Sequence, residues 1–249
     1  MRHSIICCGK AWRNQPLLLH LFYTSLRLLW NFPLHRSWHQ QLSAPELWSY
    51  QNTCFTTGKI DDSTYYKLRS TDAIPPAIRG SIKHHKAGHP LRPIVSCIVS
   101  ALYNTSKFLT DILTPVQNLN GYSVTNSMDF TKQVANQEIT EDEVMLSFDV
   151  VSLFTVISAD KACVYIRKKL DEDTTLHSRT KLTTDEIISL LKFILSSNYF
   201  MFNDSVYKQI HGCAMGSPVS PVVANLCMEV LKNRQSPPRQ HRQNSGNVT

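Results

Sequence analysis

The chain has 249 residues, 42% hydrophobic and 18% charged, with a net charge of +7; such a composition buries a core and is neither disordered nor collagen-like. Its eight glycines are never spaced as G-x-G-x-x-G or G-x-x-x-x-G-K, which excludes the two common phosphate-cradling loops. Its seven cysteines form no C-x-x-C and no H-E-x-x-H occurs, which excludes a zinc ribbon, a thioredoxin-like site and a zincin. Residues 1–45 carry five Lys/Arg and no acid. Their apolar run from Leu17 to Leu34 is broken by His20 and Arg27 and stops at Pro33, so a membrane span is not expected. An amphipathic helix, or sequence acquired at a gene boundary, accounts for this stretch better than a targeting peptide. The segment is set apart as unassigned.

From 46 to 231 the signals cohere. Residues 61–70 fit a short helix, Ile74-Pro75-Pro76 is a break, and Pro93–Ser96 is a short β-like run. Leu102, Phe108, Leu109 and Ile112 give helical spacing over 100–114. Val144–Phe148 is an apolar strand ending at Asp149. Ser158 caps a helix whose apolar face is Ala159, Ala162, Cys163, Ile166 and Leu170. Thr183 and Glu186 form a capping box ahead of Ile187, Leu190, Leu191 and Ile194. Residues 199–207 read as a hairpin turning at Asn203-Asp204. A loop with two prolines, His211 to Pro221, then enters a helix over Val222–Leu231, and the polar tail 232–249 is expected to be disordered.

The positive charge is not spread evenly. Residues 46–231 hold seventeen basic against nineteen acidic residues, a net −2, so the basicity belongs to the two flanks. One internal stretch departs from this. Between Asp72 and Asp111 lie Arg79, Lys83, Lys86, Arg92 and Lys107 with three histidines and no acid, either a phosphate-facing patch or a solvated basic loop. The odd, scattered thiols are those of a reduced, intracellular protein, in nucleus or cytoplasm.

Two segments carry chemistry. In Ser147-Phe148-Asp149-Val150-Val151-Ser152-Leu153-Phe154 a carboxylate ends an apolar strand, where an oxygen donor on a rigid element suits Mg²⁺, although an Asp there also serves as a cap or turn residue. The second segment is Gly212-Cys213-Ala214-Met215-Gly216-Ser217-Pro218-Val219-Ser220-Pro221-Val222-Val223-Ala224-Asn225, some 65 residues on. Together they resemble the reverse transcriptase domain of Penelope-like retroelements. The resemblance extends over DDSTYYKLRSTDAIPP (61–76), Pro90–Ser96, Asp142–Phe154 and Tyr199–Leu231, covering roughly 46–231.

The resemblance implies an α+β fold, part of a right-hand polymerase: fingers and the first half of the palm. It implies RNA-templated DNA synthesis by nucleotidyl transfer with two Mg²⁺, on an RNA template, a DNA primer and a dNTP. Asp149 is then the catalytic, metal-binding aspartate, and Val150 lends its carbonyl to the second metal. Phe154 lies under the incoming sugar and rejects a 2′-hydroxyl. Arg92, Lys83 and Lys86 hold the triphosphate, Arg92 with the planar fork that suits phosphate oxygens. Met215, Gly216 and Ser217 form the floor beneath base and nucleotide; Pro218, Ser220 and Pro221 shape its turn, and Asn225 fixes that loop to the palm.

The chain also departs from the family. A strand-turn-strand with Tyr-x-Asp-Asp should follow the Ala224-Asn225 helix, but no Asp or Glu occurs after Glu229. Two metals roughly 3.5–4 Å apart need carboxylates from both elements, so Asp149 alone does not hold the pair. The segment Arg79 to Lys86 and the residues Val156-Ile157-Ser158 also diverge from the family's fingers motifs. The expectation is therefore a truncated retroelement copy, inactive as this chain. The alternatives are a non-catalytic RNA- or DNA-binding module using the 79–107 patch, and a poorly folded remnant.

Overall fold

The computed structural model describes residues 30–31, 45–71, 73–84, 87–117, 126–135, 150 and 152–235. Helix α1 (Pro45–Thr56) was not signalled in the sequence; helix α2 (Asp62–Leu68) was, and its N-cap Asp61 accepts from the Thr64 amide at 2.9 Å. The basic stretch, left open between a phosphate-facing patch and a solvated loop, contains a β-hairpin, with β2 (Ile78–Ile82) antiparallel to β3 (Leu91–Val95). Its periodicity was hidden because Gly80 and Pro93, directly opposed, replace apolar residues on the inward face.

Helix α3 (Tyr103–Leu113) continues as a 3₁₀ turn over Thr114–Val116, and helix α4 spans Ser127–Val134. After the short helix α5 (Leu153–Val156) comes α6 (Ala159–Asp171), capped by Ser158 as its sequence required. Helix α7 (Leu176–Arg179) leads to α8 (Thr184–Ser196), which opens on the Thr183/Glu186 capping box with both reciprocal bonds made. Strands β4 (Tyr199–Phe202) and β5 (Ser205–Gln209) form the expected hairpin. Its turn residues Asn203 and Asp204 have φ of +48° and +57°, the paired left-handed conformation that matches strand twist. A two-residue strand β1 (Trp30–Asn31) lies on the outer edge of β5, so the amino-terminal segment meets the domain at Lys208 and Gln209.

Helix α9 spans Val219–Gln235. It starts three residues before the expected Val222, which places Ser220 and Pro221 in its first turn rather than in the preceding loop. Proline is tolerated there because the first amides of a helix have no intrahelical partner. The helix also takes in the first residues of the tail expected to be disordered; 236–249 lie outside the described residues, as do most of 1–44 and the strand expected at 144–148.

The main core is helical. Leu109 and Leu113 of α3, Ile166 and Leu170 of α6, Ile187, Leu191 and Ile194 of α8 and Leu226 of α9 are all essentially inaccessible to solvent. Each such side chain contributes about 1.5–3 kcal/mol on burial, which makes this block the mechanical base of the molecule. A smaller core joins the two hairpins: Val95, Cys97 and Phe200 are buried with Ile78, Tyr103, Phe202 and Tyr207 packed against them. The Met201 amide donates to the Pro76 carbonyl at 2.7 Å, tying the approach to β2 onto β4.

Candidate functional site

The site is built around the loop from Gly212 to Ser217, which holds two distant parts of the chain. On one side the Cys213 amide donates to the Phe154 carbonyl at 2.7 Å. On the other, the Val95 amide donates to the Met215 carbonyl at 2.8 Å. Both bonds require glycine. Gly212 has φ +75°, and a Cβ there would lie 2.4 Å from the Phe154 carbonyl oxygen; Gly216 has φ +130°, and a Cβ would lie 1.9 Å from that of Val95. Those separations are below van der Waals contact, so only glycine allows the backbones to approach.

The chain reaches this loop through a second unusual turn. Ser152 takes the left-handed conformation, φ +56°, which costs a non-glycine residue about 1–2 kcal/mol. Its carbonyl accepts from both the amide and the hydroxyl of Thr155, at 2.9 and 2.8 Å. This folds Leu153–Val156 into one helical turn that brings the Phe154 carbonyl up to Cys213.

The residues singled out in the sequence divide into three groups. Phe154, Met215, Gly216 and Ser217 come together here: the Phe154 ring is half-buried against the main core, Met215 is half-buried and Ser217 is buried. Arg92 lies on β3, leading to Val95, and opposes Ser81 of β2, while Arg79 opposes Ile94. Opposed residues share a face of a hairpin, so Arg79, Ser81, Arg92 and Ile94 lie on the face opposite to that of Ile78 and Val95, which enters the smaller core. Both arginines are exposed, and Lys83 is half-buried just beyond β2, its amide bonded to the Pro90 carbonyl at 3.0 Å. Arg79, Lys83, Arg92 and Lys107 have no carboxylate partner among the described residues.

The other residues do not join the cluster. Asp149 and Lys86 lie outside the described residues; Val150, next to Asp149, is exposed. Pro218 immediately precedes α9, Ser220 is buried with its hydroxyl unpartnered, and Pro221 is exposed. The Asn225 amide, expected to fix the loop, instead donates to the Gln117 side chain at 2.9 Å, linking α9 to the end of the 3₁₀ turn. Among the described residues no three His, Cys, Asp or Glu side chains converge as metal ligands. Of the two donors that the resemblance implies for Mg²⁺, Val150 is among the described residues and Asp149 is not.

Burial governs the thiols near the loop: it pushes Cys213 up to about 12 and Cys97 and Cys227 to about 11, so all three are protonated at neutral pH. Two carboxylates of the acidic run Asp171-Glu172-Asp173 have local partners. Glu172 meets Lys168, and Asp173 accepts from the Thr175 amide and hydroxyl and from Arg179. Among the described residues, no helix is long and apolar enough to cross a membrane. No protein-family model matches this chain, and no curated protein matches it.

Proposed function

We propose that residues 46–231 form the fingers and first palm half of a reverse-transcriptase-type domain, one that engages nucleic acid and a dNTP without polymerising as this chain. The observation that supports the reading is the double anchoring of the Gly212–Ser217 loop: one backbone bond to Phe154 and one to Val95. Segments that the resemblance assigns to the nucleotide's sugar, base and triphosphate, bonded across 59 positions (Phe154 to Cys213) and 120 positions (Val95 to Met215) of the chain, thereby become neighbours. The hairpin that carries Val95 also exposes Arg79 and Arg92, and guanidinium groups with no acid partner among the described residues are available to phosphate oxygens.

Mg²⁺ is part of this reading. The Asp149 carboxylate and the Val150 carbonyl would hold it, and it would supply charge neutralisation at the triphosphate. One carboxylate and one carbonyl leave a largely water-ligated ion, and Mg²⁺ dehydrates reluctantly. Binding no tighter than about millimolar follows, or about −4 kcal/mol.

Two measurements test the reading. Primer extension on an RNA template with Mg²⁺ is expected to give no incorporation; incorporation abolished by Asp149→Ala would overturn the inactivity. Calorimetric titration of Mg²⁺ and Mn²⁺ is expected to show millimolar binding that Asp149→Asn removes. Micromolar binding lost in that variant would mean that a second carboxylate reaches the site.

A further inference from the structure

Against the Gly212–Ser217 loop, lined by its Ala214 and Ser217, lies a cavity of about 360 Å³. It is walled by the start of α3, the end of β3, the end of α8 and the β4–β5 hairpin, and of the candidate site residues only Ser217 lines it. The volume falls at the lower end of the roughly 300–1,000 Å³ usual for small-molecule sites and equals the liquid volume of roughly twelve waters.

Three features of its wall define what it can hold. First, no Asp, Glu, Lys, Arg or His among the described residues lines it, although the chain has 45 residues of the first four kinds. A triphosphate or carboxylate would enter without a counter-charge, which is strongly unfavourable. Second, three aromatic residues, Phe193, Tyr199 and Phe200, are in the wall, which favours a flat, aromatic body. Third, two hydroxyls are buried there with little to bond. Ser106 and Ser217 are 1% and 7% exposed, and their oxygens lie 3.5 Å apart, well beyond the usual O–H···O separation of about 2.7–2.8 Å. Neither oxygen has another partner among the described residues. The Cys97 thiol, also in the wall, has only a 3.5 Å contact to the Val95 carbonyl. Buried hydroxyls are ordinarily satisfied, and a ligand carbonyl between Ser106 and Ser217 would satisfy both.

We infer that this cavity is a binding site for an uncharged, flat bicyclic heteroaromatic compound whose carbonyl accepts from the Ser106 and Ser217 hydroxyls. The site is separate from the cationic hairpin face and takes the opposite class of ligand.

The test uses the full chain with isoquinolin-1-one, a neutral bicyclic lactam, as the probe and 1-naphthoate as its anionic counterpart. The lactam is expected to bind saturably by calorimetry, and 1-naphthoate not to bind. Ser106→Ala and Ser217→Ala are each expected to weaken lactam binding about fivefold, the equivalent of one hydrogen bond. A second measurement does not depend on the variants folding. Alkylation of wild-type protein by N-ethylmaleimide, mapped by peptide mass spectrometry, should slow at Cys97 when the lactam is saturating and stay unchanged at Cys54 of α1, which lies outside the cavity. The inference is overturned by absence of saturable lactam binding at millimolar probe, by equal binding of 1-naphthoate, or by a Cys97 rate that saturating lactam leaves unaltered.

Discussion

In the helical block, cations and carboxylates meet in pairs: Lys59 with Glu186, Arg167 with Asp185, Lys168 with Glu172, Lys169 with Glu229, Arg179 with Asp173 and Lys192 with Asp160. In the β2–β3 hairpin, Arg79, Lys83 and Arg92 have no such partner among the described residues. The apolar side of the two regions differs as well: the block buries a continuous, mostly helical core, whereas the hairpin is held by a small core and the backbone bond from Val95 to Met215. Paired charges with a deep core describe a region selected for stability. Unpaired charges on a lightly anchored hairpin describe one left open to an external anion. The same residue types serve both ends, and what separates them is the company they keep.

The comparison breaks most sharply at the buried pair. Lys169 and Glu229 lie 3.0 Å apart with side chains 8% and 7% exposed, bridging α6 and α9. Removing Glu229 leaves the Lys169 charge buried and without its carboxylate, so Glu229→Ala should destabilise by about 3–5 kcal/mol. Urea unfolding measures this, and the double variant Lys169→Met/Glu229→Leu should recover most of the loss. A single variant that costs nothing would mean that the block does not depend on its paired charges.

The hairpin's anchor is next in size. Gly216→Ala must move either the loop or Val95 and should cost about 2 kcal/mol or more, whereas Gly58→Ala, with φ +69° but open space around it, should cost only the backbone strain of about 1–2 kcal/mol. Equal losses at the two glycines would show that the loop–hairpin approach is not tight.

Binding distinguishes the two sets of cations. For a single-stranded RNA oligonucleotide, Arg79→Ala and Arg92→Ala should each reduce the salt slope by about 0.7–1, while Arg167→Ala and Lys192→Ala should leave it unchanged. Fluorescence anisotropy across a salt series measures this; salt-independent binding, or equal losses from both sets, would remove the contrast.

The smallest effect is the acid response of the block's partly exposed pairs. Burial pushes the Asp173 carboxyl up, but the hydrogen bonds from Arg179 and Thr175 outweigh it and hold the group below its ordinary 3.8. Glu186 likewise falls below 4.5: burial pushes it up, and Lys59 and Thr183 outweigh that. A carboxyl depressed in the folded state contributes stability that is present above its unfolded value and lost as pH falls through the lower folded one. Unfolding free energy should therefore drop below about pH 4.5, by a few tenths of a kcal/mol per pair at this exposure. Arg179→Met should remove the Asp173 share of that slope.

Much of the block was legible in the sequence because its signals are local. Ser158 and the Thr183/Glu186 box cap their helices where expected, and the apolar residues behind them recur at the helical period and are buried. The Asn203-Asp204 turn was equally readable. The β2–β3 hairpin was not, since Gly80 and Pro93 erase its alternation and its partners are nine or more residues apart. Asn225 had a readable donor but no readable acceptor, because Gln117 is 108 residues away in the chain.

The sequence by itself determined helices α2, α3, α6, α8 and most of α9, the Ser158 and Thr183/Glu186 caps, the second hairpin and the segregation of net positive charge to the flanks, because each depends on local residues. Only the tertiary structure decided that Gly212 and Gly216 are sites of backbone contact, that one set of cations is neutralised and another is not, and that two serines 111 residues apart face one cavity. Those outcomes depend on which surfaces the core brings into contact, and a chain read in order carries no distance between its far parts.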